Sequence, residues 1–150
     1  MTRILFVCLG NICRSPTAEG VFRARAAKAG LTVSVDSCGT GGWHAGEPPH
    51  PPSVQAARRR GYDLSGLRAR QITRADFTDF DRILVMDRRN LADVMAIRPQ
   101  GGTGPELFLG YARGMGDEVP DPWYTGAFDR VLDMVEAASD GLIAKLQRGG

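Results

Sequence analysis

The chain of 150 residues contains few cysteines, lacks any long hydrophobic run and carries little net charge. Three cysteines are too few for a disulfide scaffold, and they favour a reducing compartment. No stretch approaches the roughly 18 apolar residues of a membrane span. The apolar run that begins at Ile4 is too short for the core of a signal peptide, and no cleavage-site pattern follows it. We therefore expect a soluble, cytoplasmic protein without a membrane partner.

The small net charge of +2 gives no reason to expect a nucleic-acid partner. Arg58–Arg60 and Arg88–Arg89 are local basic clusters, but no nucleic-acid-binding motif accompanies them, and we interpret them as solvated helix faces. His44 and His50 lack the spacing of a metal-binding pair, so we expect loop histidines that face solvent. The sequence thus predicts neither a metal ion nor another cofactor.

Hydrophobic content of 43% and charged content of 24% are those of an ordinary globular protein, and the length suits one domain spanning residues 1–150. Strands are predicted at 4–7, 31–36, 82–86 and 107–109, and helices at 16–29, 52–60, 90–97 and 128–146, with a short helix after a capping box at 73–76. The segment 37–52 is rich in glycine and proline and is predicted to be a long loop. This alternation predicts an α/β fold, an open sheet in three layers.

The segment from Cys8 to Ser15 follows the first strand, which places a thiol at the carboxyl end of the sheet, where ligands bind in such folds. Arg14, Ser15 and Pro16 are expected to open the next helix, with Ser15 as its N-cap. A helix N-terminus binds anions and, with a neighbouring Arg, favours the thiolate form of a cysteine. The loop lacks the Lys and second Gly of an ATP-binding loop. It therefore predicts phosphate chemistry through Cys8, without a metal ion, with Arg14 holding two phosphate oxygens.

A second segment, Val119–Tyr124, contains Asp121 between two prolines. Proline on both sides disfavours a helix and holds the carboxylate on a stiff, extended loop. Taken alone, Asp121 is more simply interpreted as an ordinary turn residue. Cys8 alone would likewise read as a small buried hydrophobic residue, and Trp43 and Trp123 as packing residues. For Cys8, the neighbouring Arg14, Ser15 and Pro16 favour a catalytic interpretation over simple burial.

The sequence resembles the low-molecular-weight protein tyrosine phosphatases along essentially its whole length. The matching segments are Val7–Pro16, Asp36–Ser37 with Gly39–Thr40 and Trp43, Ala69–Thr73, Val85–Asp87 and Asp121–Tyr124. The resemblance implies a central four-stranded parallel sheet with strand order 2-1-3-4, the flavodoxin-like arrangement of the phosphotyrosine phosphatase I-like fold.

The resemblance also implies a role for each matching residue. Cys8 would be the nucleophile, Arg14 the phosphate clamp and Asp121 the general acid and base. The phosphate-binding loop would comprise Leu9, Gly10, Asn11, Ile12, Cys13 and Ser15, with Ser15 bonded to the Cys8 sulfur and with Ser37 and Asn11 as supports. The cleft that receives the substrate would be walled by Trp43, Trp123 and Tyr124. The substrates would be tyrosine-phosphorylated proteins, and the chain would be a monomer or a weakly self-associating protein.

Three alternatives remain. Protein-arginine phosphatases on this scaffold resemble the loop but carry Thr where this chain has Ile12, which favours tyrosine here. A thiol-linked arsenate reductase would need a further redox cysteine pair, whereas Cys8, Cys13 and Cys38 are the only cysteines, all early in the chain. A phosphoprotein-binding module would not need Asp121.

Two further features bear on the thiols and on the supporting residues. Cys13 is five residues from Cys8, and we hypothesise that oxidation joins them in a reversible disulfide; the alternative is that Cys13 simply packs. Cys38 replaces the Ala usual in the family and adds a thiol near the site. Leu67 stands where many relatives have a His, so a structural contact made by that His is expected to be missing. Asp87, at the end of a strand, is expected to be structural and not catalytic.

Overall fold

The computed structural model of the chain describes residues 1–149 and contains a four-stranded sheet between layers of helices. The strands are β1 (Thr2–Cys8), β2 (Val33–Gly39), β3 (Arg82–Val85) and β4 (Pro105–Leu107). The helices are α1 (Arg14–Lys28), α2 (Pro51–Arg59), α3 (Asp76–Asp79), α4 (Arg88–Ile97), α5 (Pro122–Thr125) and α6 (Phe128–Gln147), and a 3₁₀ turn covers Phe108–Tyr111.

All neighbouring strands are parallel, and their order is β2-β1-β3-β4, which confirms the predicted sheet. The central strand β1 pairs with β2 on one side and with β3 on the other. Its residues Ile4–Val7 are completely buried, as expected for an uninterrupted apolar run in a parallel sheet. Cys8 therefore ends a strand whose four preceding residues are completely buried.

Successive side chains of β1 point to opposite faces of the sheet and belong to two separate cores. Ile4 and Phe6 belong to the larger core, to which α1, α2 and α6 contribute. Leu5 and Val7 belong to the smaller core on the other face, to which α3 and α4 contribute. Helices thus cover both faces, which confirms the predicted three-layer α/β fold.

The second strand begins two residues later and ends three residues later than the predicted 31–36. Leu31 is not in β2, because its backbone N–H donates to the carbonyl of Ala26 and closes the end of α1, where Gly30 has a φ of 74°. Ser37–Gly39, predicted to begin the long loop, instead pair with the end of β1. The strand therefore carries Gly39 to the level of Cys8 and places Ser37 opposite Phe6.

The last strand is also displaced from the predicted 107–109. Pro105 and Leu107 pair with Ile83 and Val85, and β3 ends there, so no partner remains for a longer strand. Phe108 and Leu109 form part of the 3₁₀ turn and are buried in the larger core. Their apolar character comes from burial and not from a strand.

Arginines of the two basic clusters form ion pairs with other parts of the structure. Arg60, at the end of α2, forms ion pairs with Asp133 and Glu136 of α6, at 2.9 and 2.8 Å. Arg88, the first residue of α4, forms an ion pair with Asp117. Arg60 is partly buried by these contacts, so the prediction of a solvated face is wrong for Arg60, whereas the other arginines of both clusters are exposed as predicted. Within residues 1–149, no helix is both long and apolar enough to cross a membrane.

Candidate active site

The loop 9–13 joins β1 to α1, with Cys8 directly before it and Arg14 directly after it. The Cys8 sulfur lies 3.0 Å from Oγ of Ser15, and the backbone N–H of Asn11 donates to it at 3.3 Å. Asn11 has a φ of 57°, in the left-handed region that asparagine tolerates better than most residues. This turn at Asn11 curls the loop back around the sulfur.

Helix α1 begins at Arg14, and the prediction that Ser15 is its N-cap is wrong. Cys13 occupies the N-cap position, and no side chain caps the helix. The Ser15 hydroxyl is used elsewhere, because it lies against the Cys8 sulfur and accepts a hydrogen bond from Nδ2 of Asn11 at 2.8 Å. The positive end of the helix dipole thus remains available to an anion in the loop.

The Arg14 guanidinium is held by two acceptors that lie far away in the sequence. Its Nη1 donates to Oδ2 of Asp87 at 2.6 Å and to the carbonyl of Val119 at 3.0 Å. Burial alone would lower the pKa of Arg14, but the Cys8 sulfur and the Asp87 carboxylate outweigh it, so that its pKa is raised. Both Nη1 protons are used, which leaves the edge formed by Nε and Nη2 for an anion.

Asp121 faces the same cleft from the far end of the chain. Its backbone is extended, as predicted, but Pro122–Thr125 form the one-turn helix α5, so the prediction of a continuous loop is wrong. Proline is tolerated in a first helical turn, and Asp121 caps the helix by accepting the N–H of Trp123 on Oδ1 at 3.0 Å. Its other oxygen, Oδ2, lies 3.8 Å from Nη2 of Arg14.

The cleft above the loop has a volume of about 250 Å³. The residues that line it are Cys8, Leu9, Gly10, Ile12, Cys13, Arg14, Trp43, His44, Asp121, Trp123 and Tyr124. The three aromatic residues predicted as its walls are unusually exposed, with 64% of Trp43, 52% of Trp123 and 81% of Tyr124 accessible. The cleft therefore has a polar floor and an apolar, aromatic rim.

Both histidines are closer to the cleft than predicted. His44 lines it, and its Nδ1 lies 3.0 Å from Glu47. The ring of His50 lies 4.5 Å from that of Trp123, and its backbone N–H donates to the carbonyl of Ile12 in the loop. Burial lowers the pKa of His50. The expectation that both simply face solvent is wrong, because tertiary contacts bring residues 44 and 50 to the rim.

A buried set of polar residues supports the loop from below. Nδ2 of Asn11 donates to Oγ of Ser37 at 3.0 Å, and Oδ1 of Asn11 accepts the backbone N–H of Arg70 at 3.0 Å. Gly39 lies so close that a Cβ added there would be 2.7 Å from the carbonyl oxygen of Leu9. Leu67, where a His was expected to be missing, packs against the larger core. Asn11 is thus held from both sides without that His.

The other two cysteines differ in their surroundings. Cys13 lines the cleft, and burial raises the pKa of its thiol to about 12. Cys38 is completely buried in the smaller core, because it pairs with Val7 on the face of the sheet away from Cys8. Burial also raises the pKa of Cys38. Its thiol therefore does not line the cleft, although the carbonyl oxygen of Cys38 lies 3.4 Å from Oγ of Ser15.

Asp87 has a larger part in the site than its position in the sequence predicted. It follows β3, whose carboxyl end lies beside that of β1, and it caps α4 by accepting the N–H of Asn90 on Oδ1 at 2.8 Å. Its second oxygen binds Arg14. Its place after a buried strand was a signal that it lies at the same sheet edge as Cys8. In residues 1–149, His, Cys, Asp and Glu form no cluster of three or more that is arranged to hold a metal ion.

The matches to known proteins cover almost the whole chain. The family model described as low molecular weight phosphotyrosine protein phosphatase matches residues 3–150. The chain is 41% identical over 152 residues to the low molecular weight protein-tyrosine-phosphatase YfkJ of Bacillus subtilis, covering 99% of this chain and 97% of that protein. The chain belongs to the low molecular weight phosphotyrosine protein phosphatase family.

Solved structures of this family's fold agree with the chain closely. The crystal structure of YfkJ has a TM-score of 0.94 at 40% identity and covers 99% of this chain and 96% of its own. A protein tyrosine phosphatase from Entamoeba histolytica, solved with Hepes in its active site, has a TM-score of 0.94 at 34% identity, with 99% of each chain covered. A drosophila arginine phosphatase also aligns, with a TM-score of 0.89, 28% identity and 98% of each chain covered. As a low molecular weight phosphatase, the chain is an enzyme, as predicted.

Proposed function

We propose that this phosphatase hydrolyses phosphotyrosine in proteins through a phosphocysteine intermediate on Cys8. The observation that carries the proposal is the meeting of three groups at one cleft: the Cys8 sulfur, the Arg14 guanidinium and the Asp121 carboxyl. We also propose that the enzyme is cytoplasmic and that its substrates are tyrosine-phosphorylated proteins. We propose further that it is a monomer or associates weakly with itself.

In the first step the Cys8 thiolate attacks phosphorus opposite the tyrosine oxygen. The sulfur–phosphorus bond forms as the bond from phosphorus to the tyrosine oxygen breaks, and that oxygen takes a proton from Asp121. The Asn11 N–H and the Ser15 hydroxyl lie within 3.3 and 3.0 Å of the sulfur, where they support a negative charge. Oδ1 of Asp121 is engaged by Trp123, so Oδ2 is the oxygen that carries the proton.

In the second step water attacks the phosphorus of the phosphocysteine. Asp121, now a carboxylate, accepts a proton from the water, and the sulfur–phosphorus bond breaks to release phosphate and the Cys8 thiolate. Charge on the phosphoryl oxygens meets the helix α1 N-terminus and the Arg14 edge formed by Nε and Nη2. Because Nη1 is held by Asp87 and Val119, that edge is oriented before the substrate arrives.

The aromatic rim favours a phosphate carried on an aromatic side chain over a phosphate carried on a short side chain. A phosphotyrosine ring holds its phosphate well away from the peptide backbone, so a cleft with aromatic walls at Trp43, Trp123 and Tyr124 stabilises the ring as well as the phosphate. Phosphoserine would bring its own backbone against those walls. We therefore propose phosphotyrosine as the substrate class.

A second candidate is phosphoarginine, because the chain also aligns with an arginine phosphatase. In this chain the aliphatic side chain of Ile12 lines the cleft and has no hydroxyl to offer a guanidinium. Ile12 therefore favours tyrosine. An arsenate reductase is supported less, because Cys38, the remaining thiol for a redox relay, is buried behind the sheet.

The test is a parallel assay on one peptide sequence carrying phosphotyrosine, phosphoarginine or phosphoserine, with and without a metal chelator. We expect phosphotyrosine to be hydrolysed most efficiently, with the rate unchanged by the chelator. The control is Cys8→Ser, which should lose turnover and keep phosphate or vanadate binding. A preference for phosphoarginine would overturn the substrate assignment, loss of activity with the chelator would overturn the metal-free reaction, and turnover by Cys8→Ser would overturn the nucleophile.

A further inference from the structure

The side chain of His50 stands where a helix cap is expected but makes no cap. His50 is the N-cap residue of α2, and its carbonyl accepts the backbone N–H groups of Ser53 and Val54, yet no side chain caps the helix. Asp, Asn, Ser and Thr are the residue types that stabilise such a position. The imidazole of His50 is therefore available for contacts outside α2.

The backbone of His50 is fixed against the phosphate-binding loop. Its N–H donates to the carbonyl of Ile12 at 2.8 Å, and Pro49 and Pro51 stand on either side of it. Each proline ring fixes its own φ, and a residue that precedes a proline is restricted as well. The direction in which the His50 side chain leaves the backbone therefore follows the position of the loop.

The ring of His50 contacts the segment that carries Asp121. Its centroid lies 4.5 Å from that of the Trp123 ring on α5 and 5.9 Å from that of Phe128, the first residue of α6. Burial lowers the pKa of His50, so the imidazole is neutral at pH 7 and packs as an aromatic ring. One residue thus joins the phosphate-binding loop to α5.

Helix α5 is short and largely exposed. Pro122 is buried, whereas Trp123, Tyr124 and Thr125 are exposed. A single helical turn is not stable through its own hydrogen bonds. Its position therefore depends on the contacts that it makes with the rest of the protein, and the ring of His50 provides one of them.

We infer that His50 is a positioning residue for the proposed general acid, Asp121. The backbone N–H of Trp123 donates to Oδ1 of Asp121 at 3.0 Å, so a displacement of Trp123 changes the direction of the carboxyl group. Oδ2, the oxygen proposed to carry the proton, then leaves its place beside Arg14. The inference rests on the proposed function, because His50 has this role only if Asp121 donates the proton.

Two other roles for His50 make different predictions. If the ring only stabilises the fold, its loss lowers the thermal stability and the active fraction, and the rates with all substrates fall by one factor. If it only supports Trp123 as a wall of the cleft, its loss weakens binding of the phenyl ring, which phenyl phosphate and p-nitrophenyl phosphate share. Neither role depends on how basic the leaving oxygen is.

The experiment compares kcat/KM for phenyl phosphate and p-nitrophenyl phosphate in wild type and His50→Ala. Phenolate is the more basic leaving group and depends more on proton donation. We expect a loss of about tenfold with phenyl phosphate and a smaller loss with p-nitrophenyl phosphate, since a misplaced acid keeps part of its roughly 10²- to 10⁴-fold contribution. Vanadate inhibition should stay unchanged, because the backbone contact with Ile12 is kept.

Two further variants separate the ring from the helix cap. His50→Phe keeps an aromatic ring and should restore the wild-type ratio of the two kcat/KM values. His50→Asn gives α2 the side-chain cap that it lacks but no ring, so its Tm should exceed that of His50→Ala while the loss with phenyl phosphate persists.

These variants also give the results that would overturn the inference. One is a wild-type ratio in His50→Ala, or in His50→Asn should His50→Ala fail to fold. A wild-type ratio in His50→Asn alone would mean that His50 acts through α2, and failure of His50→Phe to restore the ratio would mean that packing of the ring is not the cause.

The double variant with Asp121→Asn tests whether His50 acts through Asp121. Asp121→Asn should by itself show the loss that depends on the leaving group, and the addition of His50→Ala should then lower kcat/KM for phenyl phosphate no further. A further loss as large as that of His50→Ala in wild type would overturn the inference and leave the proposed function standing. A loss in Asp121→Asn that is equal for both substrates would instead overturn the proposed role of Asp121.

Discussion

The carboxylate of Asp87 lies 2.6 Å from Nη1 of Arg14, across 73 residues of sequence. The Val119 carbonyl accepts a second hydrogen bond from the same nitrogen, at 3.0 Å. The pair therefore does not compete with an anion for the edge formed by Nε and Nη2. It sets the plane in which that edge meets the phosphate.

Asp87→Asn should weaken the binding of phosphate and vanadate. The amide keeps an oxygen for the cap of α4 but removes the charge beside Arg14, so the guanidinium loses orientation without loss of the helix cap. We expect about a tenfold weaker inhibition constant for vanadate, equivalent to about 1.4 kcal/mol. Asp93→Asn, the same change on the same helix, is the control and should leave vanadate inhibition unaltered. Equal inhibition of wild type and Asp87→Asn would remove Asp87 from this role.

Asp121→Asn should slow the hydrolysis of aryl phosphates according to the leaving group. The amide keeps the hydrogen bond to Trp123 through its oxygen but has no proton to give to the departing oxygen. For a basic leaving group such as phenol we expect a loss in kcat/KM of about 10²- to 10⁴-fold. For the good leaving group p-nitrophenol the loss should be smaller. A loss of the same size across a series of substituted phenols would exclude Asp121 as the general acid.

Tyr111→Phe should remove part of the alkaline dependence of stability. Burial and a hydrogen bond to Glu106 raise the pKa of Tyr111 to about 12, above the value of about 10 for an unfolded tyrosine. The folded state thus keeps its proton between those values while the unfolded state loses it, and stability falls as pH rises through this window. The contribution is fully present below about pH 10.

Urea unfolding from pH 8 to 11.5 measures this difference. Wild type should be the more stable protein at pH 8, and the difference from Tyr111→Phe should shrink as pH rises. The comparison variant is Tyr124→Phe at the exposed rim, whose stability should follow the wild-type curve. Parallel curves for wild type and Tyr111→Phe would show that Tyr111 does not have the raised pKa.

The sequence predicts those features of the molecule that depend on residues close together along the chain. The apolar run Ile4–Val7 is buried on both faces because it forms the central strand, and Cys8 and Arg14 meet because one short loop separates them. Asp121 was found through the family resemblance, since its neighbours on the chain say only that it is a turn residue.

The sequence does not predict the contacts that depend on how distant elements pack together in the tertiary structure. Ser15 is a good N-cap by residue type, but its hydroxyl lies against the Cys8 sulfur, and which bond it makes depends on Asn11. By its position in the sequence Glu19 is an ordinary residue of helix α1. It is buried in the structure, where its carboxylate accepts the hydroxyl of Ser37 from β2. His50 reaches Trp123 only because the tertiary structure brings the beginnings of α2 and α5 together.

Cys13→Ser should make inactivation by peroxide harder to reverse. Both thiols line the cleft, and we propose that oxidation of Cys8 to a sulfenic acid is followed by attack of the Cys13 sulfur, which forms the disulfide and releases water. A thiol reductant should restore most of the activity of wild type and little of that of Cys13→Ser, in which Cys8 continues to the irreversible sulfinic acid. Cys38→Ala is the control, and because Cys38 lies in the smaller core behind the sheet, its recovery should equal that of wild type. Equal recovery in Cys13→Ser and wild type would show that Cys13 does no more than pack beside the loop.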